Sequence, residues 1–456
     1  MLTQSIFAPE LLKKYNTSGP RYTSYPTALE FHSDFQQLDL LAAVGGSNTT
    51  DLSLYLHIPF CHSLCYYCGC NKIVTRHRHK ADQYIDYLIR EISAQAPLFS
   101  SYKIKQLHLG GGTPSFLTIE QMTRLITVLK QEFDFNLQLE MSIEIDPREI
   151  ELDYINQLAS LGFNRLSIGV QDIDEKVQTA INRTQSTEFV AQLIQRAKQV
   201  GMKSVNVDLI YGLPHQTSQT FANTLAAVKG MDVDRISLFS YAHLPQRFAA
   251  QRKLKDEWLP SSELKFALMQ QAIETLTAYG YELIGMDHFA KPDDELAIAQ
   301  RSGHLHRNFQ GYTTSAECDL LGLGVSSISA IGQSYSQNKK DLKAYYQAID
   351  EHEHALEKGL MLTLDDVIRG DVIKSIMCNL YVDKQRISKT YGIDFDAYFI
   401  AEQKSLTTFI DDELMLNTAQ AIEIKAQARL LVRNIAMSFD AYMQQHINQQ
   451  RFSRVI

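Results

Sequence analysis

Apolar and polar side chains alternate along short segments between residues 51 and 242, and longer segments with helical periodicity separate them. The short segments are "DLSLYLHI", "IKQLHLG", "LEMSIEI", "NRLSIGV", "KSVNVDLI" and "RISLFSY". The helical patterns include "DQYIDYLIREISAQAPLF" and "STEFVAQLIQRAKQV". Strands that alternate with helices of this length predict βα units and a parallel sheet. The six units are fewer than a closed eight-unit barrel requires.

One face of each predicted strand is apolar, and the other carries small or polar groups. In the first strand, Leu52, Leu54, Leu56 and Ile58 alternate with Ser53, Tyr55 and His57. Strands buried on both faces of a parallel sheet are nearly continuous apolar runs instead. We therefore predict an α/β fold with a partial (β/α)6 barrel and a wide, polar-lined interior. An open doubly wound sheet is the alternative.

The remaining patterns predict the domain organisation. A helix is expected from about Ser261 to Gly280, followed by "YELIGMDHFA" as a further strand and by the polar loop "RSGHLHRNFQGYTT". After about residue 350 the pattern is mostly that of amphipathic helices, with a small sheet around "LMLNTAQAIEIK". We predict an N-terminal arm at residues 1–50, a barrel with an extension at 51–350, and a mostly helical C-terminal domain at 351–456.

Composition excludes several classes of protein. The 456 residues are 45% hydrophobic and carry a net charge of -8, which does not suggest a nucleic acid or an anionic membrane as partner. The start, "MLTQSIFAPELLKKYN", lacks the features of a secretory signal. No apolar run approaches the ~18 residues of a membrane helix. With four of the six cysteines in one short segment, a disulfide framework is not expected, and we predict a cytoplasmic protein.

The dense cysteine group points to metal or cluster chemistry. Cys61, Cys65, Cys68 and Cys70 form C-x3-C-x2-C-x-C. Structural zinc sites usually take two separated cysteine pairs, and no second pair exists here, although a zinc knuckle completed by histidine stays an alternative. Closely spaced thiolates hold iron–sulfur clusters. Three ligands would leave one iron open to bind a substrate, whereas a plain electron carrier would need four thiolates and no large pocket.

Further polar and small residues fall at the carboxyl ends of the predicted strands, where barrel enzymes place their active sites. Gly110, Gly111 and Gly112 follow the second strand and allow close approach of a ligand, although a tight turn would use them equally well. Glu144, Gln171 and Asp208 lie near the ends of the next three strands on the polar face. Such side chains bind ribose hydroxyls or an ammonium group.

The cysteine motif, with Tyr67 just before its third cysteine, resembles the signature of the radical S-adenosylmethionine (SAM) superfamily. The added C-x-C ending and the segments "GPRYTSYPT", "HLGGGTPS", "EIDPRE", "GVQD", "DLIYGLP" and "FSYAHLP" together resemble one of its families, the oxygen-independent coproporphyrinogen III oxidases. The resemblance runs from residue 15 to the C-terminus and is specific, because the motifs agree in kind and in order.

The resemblance implies a [4Fe-4S] cluster ligated by Cys61, Cys65 and Cys68, with Cys70 as a nearby thiol that is not a ligand. It also implies two SAM molecules. Tyr55, Gly111, Glu144 and Ile328 would contact the cluster-bound SAM, and Tyr67, Gly112, Thr113, Gln171, Arg183, Asp208 and Ala242 would contact the second. Tyr67 stands at a position where the family pattern also has Phe.

The implied reaction is the oxidative decarboxylation of two propionates of coproporphyrinogen III to vinyl groups, giving protoporphyrinogen IX, by a SAM-derived 5′-deoxyadenosyl radical. It needs a small electron-donor protein of unknown identity, and the family resemblance suggests a monomer. Cations must hold the propionates. We expect Arg21 to do so, with the arm closing over the substrate, while Arg301, His304, His306 and Arg307 are further candidates that a solvated loop would equally explain.

A binding protein is the alternative function. A haem-binding relative keeps the three-cysteine motif without oxidase activity, but it lacks the fourth cysteine and the N-terminal arm. Both Cys70 and "GPRYTSYPT" are present in this chain. The sequence therefore favours the oxidase.

Overall fold

The computed structural model describes residues 9–315 and 317–443. The chain divides into two compact units. One consists of residues 31–269 and 317–361, and the other contains the described residues of 1–30, 270–316 and 362–456. Within the described residues, no helix is both long enough and apolar enough to cross a membrane.

The first unit is built around parallel strands that lie side by side in chain order. They are β1 (Asp51–Ile58), β2 (Lys103–Gly111), β3 (Asp134–Ile145), β4 (Arg165–Gln171), β5 (Ser204–Tyr211) and β6 (Arg235–Ser240). Helices Lys80–Gln95, Ile119–Glu132, Asp153–Leu161, Glu175–Ala180, Thr187–Gln199 and Ser218–Met231 connect them. The six predicted βα units and the partial barrel are confirmed.

The sheet of this unit continues beyond β1 in a way that the sequence analysis missed. Strand Asp319–Leu323 pairs with β1 in parallel. Strands Ile328–Ile331, Ser334–Asn338 and Leu356–Met361 follow in antiparallel order, and helices Gln37–Gly45 and Leu342–His352 belong to the same unit. These strands are short and mix polar with apolar residues, so their sequence does not reveal them.

The alternating pattern of β1 matches its burial. Leu52, Leu54, Leu56 and Ile58 are fully buried, which stabilises the fold by roughly 1.5–3 kcal/mol for each side chain. The helix Lys80–Gln95 also contributes an apolar face, which includes Tyr84 and Leu88. The core therefore lies between the sheet and its connecting helices, and the polar face of the strands remains available for a site.

Short elements complete the first unit. Strands Phe60–Cys61 and Ile73–Val74 pair in parallel and flank the cysteine loop, residues 61–70. The 3-10 turns are Ala96–Phe99, Pro114–Phe116, Pro147–Glu149, Ala249–Lys253 and Asp256–Trp258. The helix Ser262–Ala278 carries the chain into the second unit, close to the predicted bounds.

Two hairpins stand in the middle segment of the second unit. Strands Glu282–Gly285 and His288–Ala290 are antiparallel, so "YELIGMDHFA" forms two strands instead of the single predicted strand. Strands His306–Asn308 and Gly311–Thr313 are also antiparallel, within the segment predicted as a loop. Three-residue polar strands carry too little alternation to be recognised. Helix Glu295–Arg301 lies between the hairpins in sequence.

The rest of the second unit is mainly helical, as predicted. Its helices are Pro9–Lys14, Leu364–Lys374, Lys384–Tyr391, Phe395–Tyr398, Ile400–Asp411 and Val432–Met437, with a π turn at Ser375–Asn379 and a 3-10 helix at Ala426–Leu431. Strands Tyr381–Asp383, Ala421–Ile424 and Met415–Asn417 form the predicted small sheet. The last part of the predicted terminal helix, from residue 444 onward, lies outside the described residues.

Candidate active site on the polar face of the sheet

In the first unit, the cysteine loop and the carboxyl ends of the strands line one cavity of about 240 Å³. Its lining includes Cys61, Cys65, Cys68 and Cys70. Of the residues that sequence analysis assigned to SAM, Tyr67, Gly111, Gly112, Thr113, Glu144, Gln171, Arg183 and Asp208 line the same cavity. The structure therefore brings together residues that are up to 147 positions apart, from Cys61 to Asp208.

Three predicted SAM contacts do not line the cavity, and two of them, Tyr55 and Ala242, lie close to residues that do. The Tyr55 ring stacks on His108 at 5.8 Å, and His108 Nε2 lies 3.6 Å from Glu144 Oε1. The amide of Gln251 donates to the backbone carbonyls of Tyr67 (2.9 Å) and Ala242 (3.2 Å).

Ile328 is the third of these residues. It is the first residue of strand Ile328–Ile331, which lies next to strand Asp319–Leu323 in the sheet. Its backbone packs so tightly on Gly322 that a Cβ there would lie 2.4 Å from the Ile328 carbonyl oxygen.

Two guanidinium groups approach the sulfur of Cys65. Arg148 Nη2 lies 3.3 Å and Arg183 Nη1 lies 3.5 Å from Sγ, and both arginines also pair with Asp146. Burial raises the pKa of Asp146, but the two arginines outweigh this effect and hold the pKa at about 2. One carboxylate therefore balances two guanidinium groups, and a net positive charge faces the sulfur of Cys65.

The other cysteines differ in environment. Cys61 is buried, its Sγ lies 3.4 Å from Thr113 Oγ1, and burial raises its thiol pKa to about 11. Cys70 is exposed. A hydrogen bond from Cys70, together with the ammonium group of Lys72, lowers the pKa of Cys68 to about 6, while the same hydrogen bond raises the pKa of Cys70. In this pair, Cys68 is the thiolate and Cys70 keeps its proton.

The donor set fits an iron–sulfur cluster. Four thiols line one cavity, and one of them, that of Cys65, accepts from two guanidinium groups. Among the described residues, no three His, Cys, Asp or Glu side chains are close enough together to hold a single metal ion. A cubane has a different requirement, because each thiolate binds a different iron. The arrangement therefore agrees with a cluster better than with the zinc alternative.

Strands β4, β5 and β6 build a polar network at Asp208. Asn206 Nδ2 donates to Asp208 Oδ1 at 2.9 Å and to Ser167 Oγ at 2.8 Å, and the Ser167 hydroxyl also reaches the carboxylate. Ser237 Oγ donates to Asn206 Oδ1 at 3.2 Å. Burial, and then the charge of Glu144, raise the pKa of Asp208 to about 7. Its carboxyl group therefore changes protonation near neutral pH.

The glycine run allows the backbone to pass close to neighbouring groups. A Cβ on Gly112 would lie 2.7 Å from the carbonyl oxygen of Pro59, just before the cysteine loop. Gly111 has φ of 117°, and its N–H donates to Glu144 Oε2 at 3.3 Å. Residues with side chains rarely adopt this φ. The glycine run therefore lets the chain at the end of β2 pack closely against the residue before the cysteine loop. It also directs the Gly111 N–H to the carboxylate of Glu144.

A bulge near the end of β4 positions Gln171. The register between β4 and β5 shifts between Gly169 and Gln171, and Gln171 has φ of 66°. Arg183 Nη2 donates to the carbonyl oxygen of Gly169 at 2.7 Å, and a Cβ on Gly169 would lie 2.8 Å from the Gln171 amide nitrogen. Bulges of this kind re-aim side chains next to active sites.

Sequence analysis missed Asp146 and Arg148 as site residues. Both line the cavity. Asp146 extends the polar set of Ser142 and Glu144 beyond the end of β3, and Arg148 follows in the same "EIDPRE" segment. The period-2 pattern could have identified Asp146, whereas nothing in the sequence indicates that Arg148 turns back to Cys65.

The predicted substrate residue Arg21 belongs to the second unit, where its guanidinium donates to Asp287. Of the other candidate cations, Arg301 forms an ion pair with Glu282 at 2.7 Å on the surface. Arg307 lies in the hairpin His306–Thr313.

A parallel partial barrel with three cysteines and a polar cavity at its carboxyl edge defines the radical SAM class of enzymes. The family model of the radical SAM superfamily matches residues 55–228. The oxygen-independent coproporphyrinogen III oxidase of Salmonella typhimurium is 55% identical and covers 98% of both chains. That of Synechocystis sp. is 46% identical and covers 99% of this chain and 98% of its own.

A solved structure has the same fold over nearly the whole chain. It is described as coproporphyrinogen III oxidase from Escherichia coli, a radical SAM enzyme, and aligns with a TM-score of 0.93 at 53% identity. It covers 96% of this chain and 100% of its own. The chain belongs to the oxygen-independent coproporphyrinogen III oxidases, radical SAM oxidoreductases that use a [4Fe-4S] cluster and SAM.

Proposed function

We propose that this chain converts two propionate side chains of coproporphyrinogen III to vinyl groups and so forms protoporphyrinogen IX without oxygen. The observation that carries the proposal is the single cavity in which Cys61, Cys65 and Cys68 meet the carboxyl ends of the strands. Relatives that carry this activity in their names match the chain from end to end.

Cys61, Cys65 and Cys68 would hold the cluster, and Cys70 would remain a free thiol beside it. When bound, the cluster and SAM supply a 5′-deoxyadenosyl radical that removes hydrogen from the β-carbon of a propionate. Each round would then release CO2, pass one electron to an acceptor and leave a vinyl group. Arg148 and Arg183 would stabilise the anionic sulfur of Cys65, since both donate to it.

Two SAM molecules form part of the proposal. Glu144 would serve the first, together with Tyr55, Gly111 and Ile328. Asp208 would serve the second, with Tyr67, Gly112, Thr113, Gln171, Arg183 and Ala242. Support comes from the two carboxylates, which lie on the polar face of different strands and can accept from an ammonium or from ribose hydroxyls.

The substrate and the partners complete the proposal. Arg21 would bind a propionate, since a guanidinium group pairs well with carboxylates. A small electron-donor protein would reduce the cluster. The six cysteines are free, which agrees with the reducing cytoplasm where we place the protein. We also propose that it acts as a monomer, which size-exclusion chromatography with light scattering would check.

An anaerobic assay tests the function. Reconstituted protein is incubated with dithionite, SAM and coproporphyrinogen III, and the products are separated by chromatography. Protoporphyrinogen IX together with 5′-deoxyadenosine is the expected result, and Cys65→Ser should form neither. Deoxyadenosine without protoporphyrinogen would overturn the proposed substrate. If neither product forms and the protein binds haem stably, it is a haem-binding relative instead.

A further inference from the structure

The hairpin His306–Thr313 of the second unit concentrates buried polar atoms that lack partners. Among the described residues, His306 Nδ1, Arg307 Nε, Gln310 Nε2 and Tyr312 Oη are buried and make no hydrogen bond. Buried polar groups are nearly always satisfied, because leaving them unpaired costs free energy. Several such atoms in one short hairpin indicate a place where a polar ligand supplies the missing partners.

Arg307 and Tyr312 are a direct cross-strand pair in this hairpin. The guanidinium carbon of Arg307 lies 5.3 Å from the centre of the Tyr312 ring. The ring of His288 packs edge-on against that ring at 5.1 Å. A Cβ on Gly285 would lie 2.3 Å from the Tyr312 hydroxyl. These contacts fix the Tyr312 ring against the guanidinium group of Arg307.

Arg307 has no carboxylate partner among the described residues. Its Nη1 donates to the backbone carbonyl of Arg21 and lies 3.3 Å from the sulfur of Met286. The nearby carboxylate, Asp287, pairs with Arg21 and with His288, whose Nδ1 lies 2.7 Å from Oδ1. By contrast, Arg301 is neutralised by Glu282 on the surface.

The charge balance of the cluster is therefore positive. Burial raises the pKa of Asp287, but Arg21, His288 and Arg307 together outweigh it and hold that pKa below its ordinary value. Asp287 is ionised and compensates Arg21, while the charge of Arg307 remains. A cation beside an unpaired hydroxyl fits a carboxylate, which accepts from both.

We propose that Arg307 and Tyr312 bind a propionate carboxylate of the porphyrinogen, the guanidinium group by charge and the hydroxyl by donating a hydrogen bond. This inference rests on the proposed function, because the ligand is its tetracarboxylate substrate. Each propionate that enters a low-dielectric site needs a fixed cation. Arg307 supplies a cation that Asp287, already paired with Arg21, does not neutralise.

The test measures the binding of coproporphyrin III, the stable oxidised form of the substrate, by porphyrin fluorescence. It uses cluster-loaded enzyme with SAM under anaerobic conditions. Arg307→Gln should weaken binding about 10- to 100-fold, the range expected for a lost charge-assisted hydrogen bond. Tyr312→Phe should weaken it roughly 3- to 10-fold. Arg307→Lys should lie between wild type and Arg307→Gln. Arg124→Gln, which removes an exposed arginine paired with Asp86, is the matched control and should bind like wild type.

Tyr312→Phe decides between a ligand role and a structural role. Because the hydroxyl makes no hydrogen bond within the described residues, its removal should leave the melting temperature unchanged or raise it. Wild-type affinity in both Tyr312→Phe and Arg307→Gln would overturn the inference. If wild type converts coproporphyrinogen III while these variants bind normally, this inference alone fails. If the wild-type enzyme makes no protoporphyrinogen, the proposed function itself is wrong.

Discussion

The guanidinium group of Arg148 donates to the sulfur of Cys65, with 3.3 Å between Nη2 and Sγ. The two residues lie 83 positions apart in the sequence. The contact exists because β3 ends beside the cysteine loop, and the turn Pro147–Glu149 folds the arginine back towards it. Hydrogen bonds and charges at a ligating sulfur affect how easily a cluster accepts an electron.

We predict that Arg148→Gln lowers the reduction potential of the cluster. Reduction adds negative charge, which the guanidinium group stabilises. Losing a charge-assisted hydrogen bond of about 1.5 kcal/mol corresponds to a fall of about 60 mV for one electron. A redox titration of reconstituted protein followed by EPR measures the midpoint, with Arg124→Gln as a surface control. An unchanged midpoint in Arg148→Gln would show that this contact does not tune the cluster.

Asp208 should make stability depend on pH. Its folded-state pKa is about 7 because of burial and the charge of Glu144, against about 3.9 in an unfolded chain. The folded state therefore holds the proton more tightly, and stability falls as pH rises from about 4 to about 7. We expect Asp208→Asn, which stays neutral, to be more stable than wild type at pH 8 by at least about 1 kcal/mol and by less at pH 5.

Urea unfolding of the apoprotein at both pH values measures this difference. Asp134→Asn, at an exposed carboxylate 3.5 Å from Lys103, is the control and should show little change. A constant difference between Asp208→Asn and wild type at the two pH values would contradict the raised pKa.

Glu91 should be one of the most sensitive positions for folding in the first unit. Its buried carboxylate accepts from Gly324 N (2.7 Å), Asn338 Nδ2 (2.6 Å) and Tyr345 Oη (2.7 Å). Glu91→Ala would leave two buried donors, Gly324 N and Tyr345 Oη, unpaired, at about 1–3 kcal/mol each, whereas Asn338 Nδ2 also donates to Gly324 O and Ser327 Oγ. We expect a loss of at least about 2 kcal/mol in the free energy of unfolding. Urea denaturation measures it, and Glu132→Ala on the surface should cost far less.

Cys70 and Cys68 should differ in their effect on the cluster. Cys70→Ser should keep the iron and sulfide content of wild type after reconstitution, because this exposed residue is not an assigned ligand. Cys68→Ser should lose most of both, because it removes one of the three ligands. Chemical iron and sulfide analysis with visible absorption compares the two matched substitutions. Loss of the cluster in Cys70→Ser would make Cys70 a ligand.

Much of the first unit could be predicted because its signals are local. The alternation of Leu52, Leu54 and Leu56 with polar residues defines a strand with one buried face, and the packing follows directly. The spacing of Cys61, Cys65 and Cys68 is also local and predicts shared chemistry. The strand Asp319–Leu323, in contrast, pairs with β1 across more than 250 residues of sequence, and no local pattern encodes that pairing.

Periodicity, spacing and motif order are properties of the chain, so they were sufficient to predict the class of fold, the cysteine motif and the family. Which charges meet depends instead on how the chain folds. Arg148 and Arg183 converge on Cys65, Asp287 compensates Arg21, and in the part of the chain that the structure describes Arg307 pairs with no carboxylate. Each of these outcomes depends on distances between segments remote in sequence, and electrostatic energies depend steeply on such distances and on burial.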